Sequence, residues 1–221
     1  MESTDKNSVK FFNSKPKTLK LDLNDVKFRP NLTPAQVLRR GAFGGTYFRD
    51  IESSVTGKKY SKVYREFPKS WFNGLDIKKQ ITRPWDDKNY NKSMNKYGVK
   101  VGATLEFWQD SGWITENDPY GWFQWYCRYY KGRRLKSTKD NKNEDVWQIG
   151  RFNKIVRFLG PLVKAIAKKE NEPKKENEPK KSYVHDYTIG AKYRQILLHW
   201  GYELTESEYQ RLKKAKKVSF I

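Results

Sequence analysis

The side chains most suited to chemistry in this 221-residue sequence are basic and cluster near its middle. Gln124, Arg128 and Lys131 are separated by four and three residues, so a helix would align them in one polar stripe. A basic turn follows, and arginine binds phosphate oxygens bidentately while glutamine can read base edges. The residues that we predict to contact nucleic acid are Gln124, Arg128, Lys131, Arg133, Arg134, Lys136, Arg39 and Arg40. The alternative is that the arginines form internal ion pairs with Glu144 and Asp145.

Carboxylates and a histidine are the other candidates for chemistry. Glu106 and Asp110 are four residues apart in a helical pattern, a spacing that can hold Mg²⁺ for phosphoryl chemistry. Asp118 precedes a proline and is expected to cap a helix instead. His199 lies beside Trp200, and a lone histidine in such a place is usually structural. Because no Ser-His-Asp pattern, P-loop or HExxH motif is present, we leave an enzymatic activity uncertain and favour its absence.

Cofactor, metal and membrane signals are weak throughout the chain. Cys127 is the one cysteine and there are two histidines, so neither a disulfide framework nor a Cys/His metal site is expected. We therefore predict no cofactor and no bound metal. No apolar run approaches the length of about 18 residues that a membrane helix needs, and Met1 to Asn7 is too polar for a secretory signal. These features predict an intracellular protein without membrane contact.

Composition indicates a folded protein with a polyanionic partner. Aromatic residues make up 15% of the chain, which is far from the aromatic-poor composition of disordered proteins. Lys and Arg number 46 against 25 Asp and Glu, a formal net charge of 46 − 25 = +21. A phosphate backbone neutralises such a charge by counterion release. The competing interpretation is that the excess of Lys reflects sequence composition alone.

The basic stripe should lie on a central, buried helix. The pair Asp118-Pro119 predicts a helix start, with Asp as cap and Pro in the first turn, and the helix should continue to about Lys131. Four rings fall on one face at i, i+3, i+4 and i+7: Trp122, Trp125, Tyr126 and Tyr129. A helix that is apolar around most of its circumference is buried. We therefore predict a core helix whose narrow polar stripe reaches the surface.

The remaining patterns predict a mainly α fold with a small extended or β part near the N-terminus. Alternating leucines between Thr18 and Phe28 have the period of a strand. Thr33 and Gln36 form a capping box at a helix start, and Thr205 with Glu208 forms another. The helical segments expected after the basic turn are 144–159, ended by Gly160-Pro161, then 189–200 and 206–217. Gly41, Gly44 and Gly45 do not form the dinucleotide-binding fingerprint and instead predict close backbone packing.

We expect one main domain with a C-terminal appendage. Residues 1–16 should form a flexible basic arm, and residues 17–167 the main aromatic-rich domain. Residues 168–182 contain a tandem KKENEP repeat without apolar side chains, which is typical of a charged linker. Residues 183–221 should form a helical hairpin packed on the main domain. A helix-turn-helix reader is less consistent with this hairpin, because its second helix begins with two glutamates.

Several motifs resemble a known group of proteins. They include the segment from Gly41 to Phe48, Glu66-Phe67-Pro68, Ser111-Gly112-Trp113-Ile114, and above all DPYGWFQWYCRYYKGRR at 118–134. Together they resemble an uncharacterised family found in algae, fungi, protists and large DNA viruses, over most of residues 33–210. The resemblance implies a common fold with an aromatic core and carries no activity or site residue with it.

The function predicted from these patterns is nucleic-acid binding, mainly through phosphate contacts. The type of nucleic acid and the oligomeric state stay open, and the expected location is the nucleus, or a viral factory or virion if the source is a virus. One alternative is a structural or scaffold protein, in which an aromatic patch near Trp108, Trp113 and Trp122 is a protein interface. A second alternative is a metal-dependent enzyme acting on nucleic acid.

Overall fold

The computed structural model describes residues 28–85, 90–135, 144–173 and 182–215. The predicted arm at 1–16, the alternating segment before Phe28 and Lys136 lie outside these ranges. So does most of the KKENEP repeat.

The described chain is mainly α-helical, as predicted. Its α-helices are α1 Pro34–Arg39, α2 Ile77–Gln80, α3 Leu105–Asp110, α4 Trp122–Tyr130, α5 Glu144–Val156, α6 Leu159–Glu170, α7 Ala191–His199 and α8 Glu206–Lys214. Short 3₁₀ helices cover Phe43–Gly45, Val63–Glu66, Lys69–Phe72 and Lys92–Met94. Strands β1 Ile51–Ser53 and β2 Lys58–Tyr60 pair antiparallel, with Ile51 opposite Tyr60. This hairpin is the small β part near the N-terminus, and the sequence patterns did not single out its strands. No helix in the described part is long and apolar enough to cross a membrane.

The two predicted capping boxes, at the starts of α1 and α8, differ in how completely they form. At α1 the capping box is complete, because Thr33 Oγ1 accepts from the Gln36 N–H and Gln36 Oε1 accepts from the Thr33 N–H. At α8 Thr205 caps the Glu208 N–H. The Glu208 carboxylate accepts from the Tyr202 hydroxyl instead of from Thr205. The second capping box is therefore only half formed, and α8 ends at Lys214, earlier than predicted.

Helix α4 is the buried hub that the aromatic spacing predicts, but its start is different. Trp125, Tyr126 and Cys127 are 0–2% exposed. The N-cap residue is Gly121, at φ 84° and ψ −154°, a backbone conformation suited to glycine. The predicted cap at Asp118 is wrong, because the Asp118 carboxylate is bound by arginine side chains.

The break between α5 and α6 also differs from the prediction. Helix α5 ends at Val156, and Gly160-Pro161 lies in the first turn of α6 rather than between helices. A proline is tolerated in a first helical turn because the N–H groups there have no intrahelical acceptor. Helix α6 then continues to Glu170, three residues past the boundary expected for the main domain.

Helices α7 and α8 pack on α6, and α7 also packs on α5. Trp200 directly follows α7 and lies 4.3 Å, between ring centroids, from Trp122 at the start of α4. The end of α7 is therefore held against the N-terminal end of the central helix, a position that shapes the cleft described below.

The glycine-rich loop before β1 is packed closely, as predicted. Gly41, Phe43, Gly44 and Gly45 all have positive φ. A Cβ on Gly45 would lie 2.3 Å from the carbonyl oxygen of Lys79, and one on Gly44 would lie 2.6 Å from the Tyr90 ring. The loop is thus fixed by contacts that only glycine permits. Phe43, a bulky residue with φ 62°, stores backbone strain at this place.

Candidate functional site

Gln124 does not form part of an exposed stripe, contrary to the prediction. Its side chain is 1% exposed, and Oε1 accepts a hydrogen bond of 3.0 Å from the Tyr120 N–H. Tyr120 lies just before α4, where backbone N–H groups lack intrahelical acceptors. Gln124 therefore satisfies the backbone at this helix end and is unavailable to a partner.

Arg128 and Arg133 form an internal ion-pair network. Both bind the carboxylate of Asp118, which is 0% exposed: Arg128 Nη1 at 3.0 Å from Oδ1 and Arg133 Nη2 at 2.5 Å from Oδ2. Arg128 also binds Glu66, with Nη2 2.7 Å from Oε2. Burial raises the pKa of Asp118, and the hydrogen bonds and charges of the two arginines oppose that rise.

The acidic partners differ from the ones that the sequence suggested as an alternative. Asp145 accepts from Trp125 Nε1 at 2.8 Å, and Glu144 accepts from the Thr115 hydroxyl and the Asn117 amide. The alternative was right that the arginines pair internally and wrong about the carboxylates, because those of Glu144 and Asp145 are used by neutral donors.

The other predicted contact residues that lie in the described ranges also have partners within the chain. Lys131 Nζ donates to the Glu66 carbonyl at 2.9 Å, and the Arg134 guanidinium lies 3.6 Å from the centroid of the Tyr129 ring. Arg39 donates to the Ser70 carbonyl. Arg40 Nε lies 3.0 Å from Glu203 Oε2. Lys131, Arg134 and Arg39 are exposed and Arg40 is partly exposed, and each makes the internal contact described above.

A different group of residues forms a concave site. Of the eight tryptophans, Trp71, Trp122 and Trp125 are buried, while the other five are partly exposed. Four of those five line two adjoining cavities of about 60 and 40 Å³: Trp85, Trp108, Trp113 and Trp200. The two cavities share Phe43, Tyr47, Val101, Trp108 and His199. We call this combined site the tryptophan cleft.

Arg151 on α5 lines the cleft and is surrounded by indole rings. Its guanidinium carbon lies 5.3, 4.8 and 5.3 Å from the ring centroids of Trp113, Trp147 and Trp200. Nη1 donates to the Trp113 carbonyl at 3.3 Å and to Gln148 Oε1 at 3.1 Å. Burial lowers the pKa of Arg151 to about 9. No carboxylate in the described ranges pairs with it, so a cation is held among aromatic rings without a counter-ion.

Arg49 occupies the second cavity in a similar way. Its guanidinium carbon lies 5.4 Å from the Trp85 ring centroid, and Nη1 donates to the Thr46 carbonyl at 3.2 Å. Burial lowers the pKa of Arg49, an effect that the charge of Glu106 partly opposes. Lys100 Nζ adds positive charge at 5.4 Å from the same Trp85 ring. The cleft therefore combines aromatic walls with a positive potential.

His199 lies where the two cavities meet. Its Nε2 accepts a hydrogen bond of 3.2 Å from the Phe43 N–H, and the two rings stack with centroids 4.3 Å apart. Burial lowers the pKa of His199 to about 3. The imidazole is therefore neutral near pH 7, and because Nε2 is the acceptor the ring hydrogen is on Nδ1.

A row of basic residues leads away from the cleft along α5. Arg151 and Lys154 on α5 are three residues apart, a spacing that keeps side chains close on a helix, and Arg157 follows three residues later, directly after the end of α5. Burial lowers the pKa of Lys154, and the charges of Arg157 and Arg151 lower it further, so these cations are close enough to repel. An anionic ligand leaving the cleft in this direction would be attracted.

The carboxylates considered for metal binding do not converge. Glu106 and Asp110 are both on α3, as predicted, and Asp118 is taken by the two arginines. Across the described ranges, no group of three or more His, Cys, Asp or Glu side chains is arranged to hold a metal ion.

The sequence patterns identified part of the aromatic lining of the cleft and missed its two arginines. The aromatic patch expected near Trp108, Trp113 and Trp122 lines the first cavity, whereas Arg49 and Arg151 were not singled out. The aromatic residues beside them, Trp85 and Trp147, were the available signal. No protein-family model, curated protein or solved structure matches this chain.

Proposed function

We propose that this protein binds nucleic acid and that unpaired bases enter the tryptophan cleft. The observation that carries this proposal is Arg151, a guanidinium held against three indole rings without a carboxylate partner in the described structure. A resident anion or an anionic ligand would complete such a site. The formal net charge of +21 supports a polyanion as that ligand.

The aromatic walls favour nucleic acid over other polyanions. Every base has a π-face, and stacking on an aromatic side chain contributes about 1–3 kcal/mol per base. Partly exposed indoles at Trp108 and Trp200 offer such faces beside Arg151. The basic row at Lys154 and Arg157 would then contact phosphates next to the stacked base.

The shape of the site favours unpaired bases. The larger of the two cavities measures about 60 Å³ and lies in a recess between α4, α5 and α7, so a base would stack on the indoles at its open side rather than fill it. A base inside a duplex is stacked and paired, and bringing it into a recess requires flipping it at a cost of a few kcal/mol. Single strands, loops and ends avoid that cost. DNA and RNA are equally compatible with the described side chains.

The test is a fluorescence-anisotropy titration of single-stranded DNA, single-stranded RNA and duplex DNA across a salt series. We expect a single-stranded form to bind more tightly than the duplex. Arg151→Gln should weaken that binding about tenfold and reduce the salt slope by about 0.7, the value for one lost phosphate contact on a single strand. The matched control is Arg211→Gln, which removes an arginine with a 66% exposed side chain outside the cleft.

Two results would contradict the proposal. If Arg151→Gln and Arg211→Gln weaken binding equally, affinity follows total charge and the cleft is not the site. If no form binds at physiological salt while sedimentation velocity shows stable self-association, the scaffold function is correct and the aromatic cleft is a protein interface.

A further inference from the structure

We infer that a single strand bound in the tryptophan cleft continues along the outer side of α5 and α6, where its phosphates contact Arg157, Lys164 and Lys168. This inference rests on the proposed function and adds a second surface to the cleft. We call this surface the basic face and define it by the side chains of Lys154, Arg157, Lys164 and Lys168. The partner that it fits is a phosphate backbone.

The two helices contain a long stretch without acidic residues. From Val146 to Lys169 the chain carries six basic residues and no aspartate or glutamate. This stretch covers all but the first two residues of α5 and all but the last residue of α6. Acidic residues return at Glu170 and Glu172, where each is paired with a lysine. The basic face therefore has no carboxylate in its own helix turns to neutralise it.

The cations of the basic face are also unpaired with other parts of the described structure. Arg157, Lys164 and Lys168 are exposed, and Lys154 is partly exposed. None of the four side chains makes an ion pair or a hydrogen bond to another residue of the described ranges. Two of the basic residues on the neighbouring helix α8 are, by contrast, paired with carboxylates. The basic face is thus available to an anionic ligand.

Helical spacing places these cations on one side of the two helices. Arg157 and Lys164 are seven residues apart, and Lys164 and Lys168 are four apart, distances that return to the same side of a helix. The junction between α5 and α6 keeps a helical path. Phe158, at this junction, has φ −63° and ψ −13°, and its N–H donates to the Ile155 carbonyl at 2.9 Å. The spacing therefore holds from one helix into the next.

The opposite side of both helices is buried. Helices α5 and α6 both pack on α7 and share few contacts with each other, so they follow one another across α7 rather than fold back. The buried apolar residues, all 0–6% exposed, are Ile149, Phe152, Ile155, Leu159, Leu162, Val163 and Ile166. The basic face consequently starts beside the cleft, after Arg151, and leads away from it.

The length of the basic face limits the length of strand that it can hold. Eleven residues separate Arg157 from Lys168, a rise of about 17 Å along a helix. Phosphates of a stacked strand are about 3.4 Å apart, so this length holds up to about five nucleotides beyond the cleft. The Phe158 and Tyr193 rings, both partly exposed, stack with centroids 5.7 Å apart next to Arg157. They offer a further stacking surface, which favours a nucleic acid over an acidic protein segment.

The test compares two double variants with matched charge. The first carries Lys164→Gln and Lys168→Gln, because glutamine removes the charge and has a helix propensity close to that of lysine. The control carries Lys58→Gln and Lys69→Gln, which removes two exposed lysines that line neither cavity. Fluorescence anisotropy is measured across a salt series with single strands of 3 and 12 nucleotides, DNA or RNA according to which the wild type binds more tightly.

The α6 double variant should lose affinity for the long strand alone. With the 12-mer we expect binding about 25-fold weaker at 0.1 M salt and a salt slope smaller by about 1.4, since each phosphate contact on a single strand contributes about 0.7 to that slope. The difference should close as the salt approaches 1 M. The trinucleotide is too short to extend from the cleft to α6 and should bind equally to the variant and the wild type. The control variant should bind both strands within about twofold of the wild type.

The variant Arg151→Gln separates failure of this inference from failure of the proposed function. If Arg151→Gln weakens binding of the 12-mer and the α6 double variant does not, the strand leaves the cleft by another path, and the proposed function stands without this inference. Equal losses in the two double variants, or an equal loss for the 3-mer and the 12-mer, also overturn the inference. If Arg151→Gln weakens binding no more than Arg211→Gln does, the cleft is not the site and both are wrong.

Discussion

Arg133 makes two hydrogen bonds to the buried carboxylate of Asp118, with Nη1 2.9 Å from Oδ1 and Nη2 2.5 Å from Oδ2. Asp118 lies before α4 and Arg133 lies after it, so the pair ties together the segments that flank the central helix. Arg128, on α4 itself, reaches the same carboxylate. The network is therefore a structural element of the hub.

Removing Arg133 should lower the free energy of unfolding of the protein, whatever its effect on the affinity for nucleic acid. Arg133→Gln leaves a 0% exposed carboxylate with one arginine fewer, and breaking a buried ion pair costs about 3–5 kcal/mol. Because Arg128 still binds Asp118, we expect the lower end of that range. Urea denaturation followed by circular dichroism measures the free energy of unfolding.

Two further variants test whether the loss of stability comes from the ion pair with Asp118. Arg134→Gln removes an exposed neighbouring arginine and should change stability by less than about 1 kcal/mol. Adding Asp118→Asn to Arg133→Gln should recover part of the loss, since the uncompensated charge is then absent. If Arg133→Gln and Arg134→Gln unfold at the same urea concentration, Arg133 has no structural role.

The start of α4 shows which features of this site could be predicted from sequence. The ring spacing from Trp122 to Tyr129 is local information, and it correctly predicts a buried helix. The pair Asp118-Pro119 is also local and matches a helix cap, but the partners that override this signal are 10 and 15 residues away at Arg128 and Arg133. Side-chain pairing over such distances depends on tertiary packing, which sequence spacing does not specify.

The tryptophan cleft was less predictable for the same reason. Its indoles range from Trp85 to Trp200 in the sequence, and Trp200 reaches the cleft because the end of α7 packs against the start of α4. Arg128 and Arg133, which were predicted to contact nucleic acid, pair with buried or partly buried carboxylates, whereas the isolated Arg49 and Arg151 line the cavities. The clustering of arginines in the sequence therefore does not show which of them can reach a ligand.

Trp108 should contribute to nucleic-acid binding more than to stability. It lines both cavities and is partly exposed, so Trp108→Ala removes a stacking surface without emptying the core. We expect single-strand affinity to fall about 5- to 150-fold, equivalent to about 1–3 kcal/mol for one stacked base. Anisotropy titration measures this loss. Tyr130→Ala, which removes a 51% exposed ring outside the cleft, should leave affinity unchanged; an equal loss in both variants would contradict the prediction.

The glycine loop provides a test of the backbone that supports the cleft. Gly45→Ala places a Cβ 2.3 Å from the Lys79 carbonyl oxygen, so the backbone must shift. We expect the free energy of unfolding to fall by more than about 2 kcal/mol, because strain and a steric clash combine. Gly57→Ala is the matched control, since φ is also positive, at +66°, and nothing lies within 4 Å of its Cβ. Differential scanning calorimetry should separate the two variants, and equal melting temperatures would show that the loop is not closely packed.

His199 should make the protein less stable as the pH falls. Burial lowers its pKa to about 3 in the folded protein, against an ordinary value of 6.5. Between these values the unfolded chain binds a proton that the folded ring does not, so stability is full above pH 6.5 and is lost as the pH falls toward 3. The loss between pH 7 and pH 5 should reach about 2 kcal/mol.

Urea denaturation of the wild type and of His199→Gln at both pH values isolates the contribution of His199, because glutamine keeps an acceptor for the Phe43 N–H and does not titrate. Acidic groups that respond to pH are common to both proteins and cancel in the difference. An identical loss in the two proteins would show that the pKa of His199 is the same in the folded and unfolded states, and this prediction would be wrong.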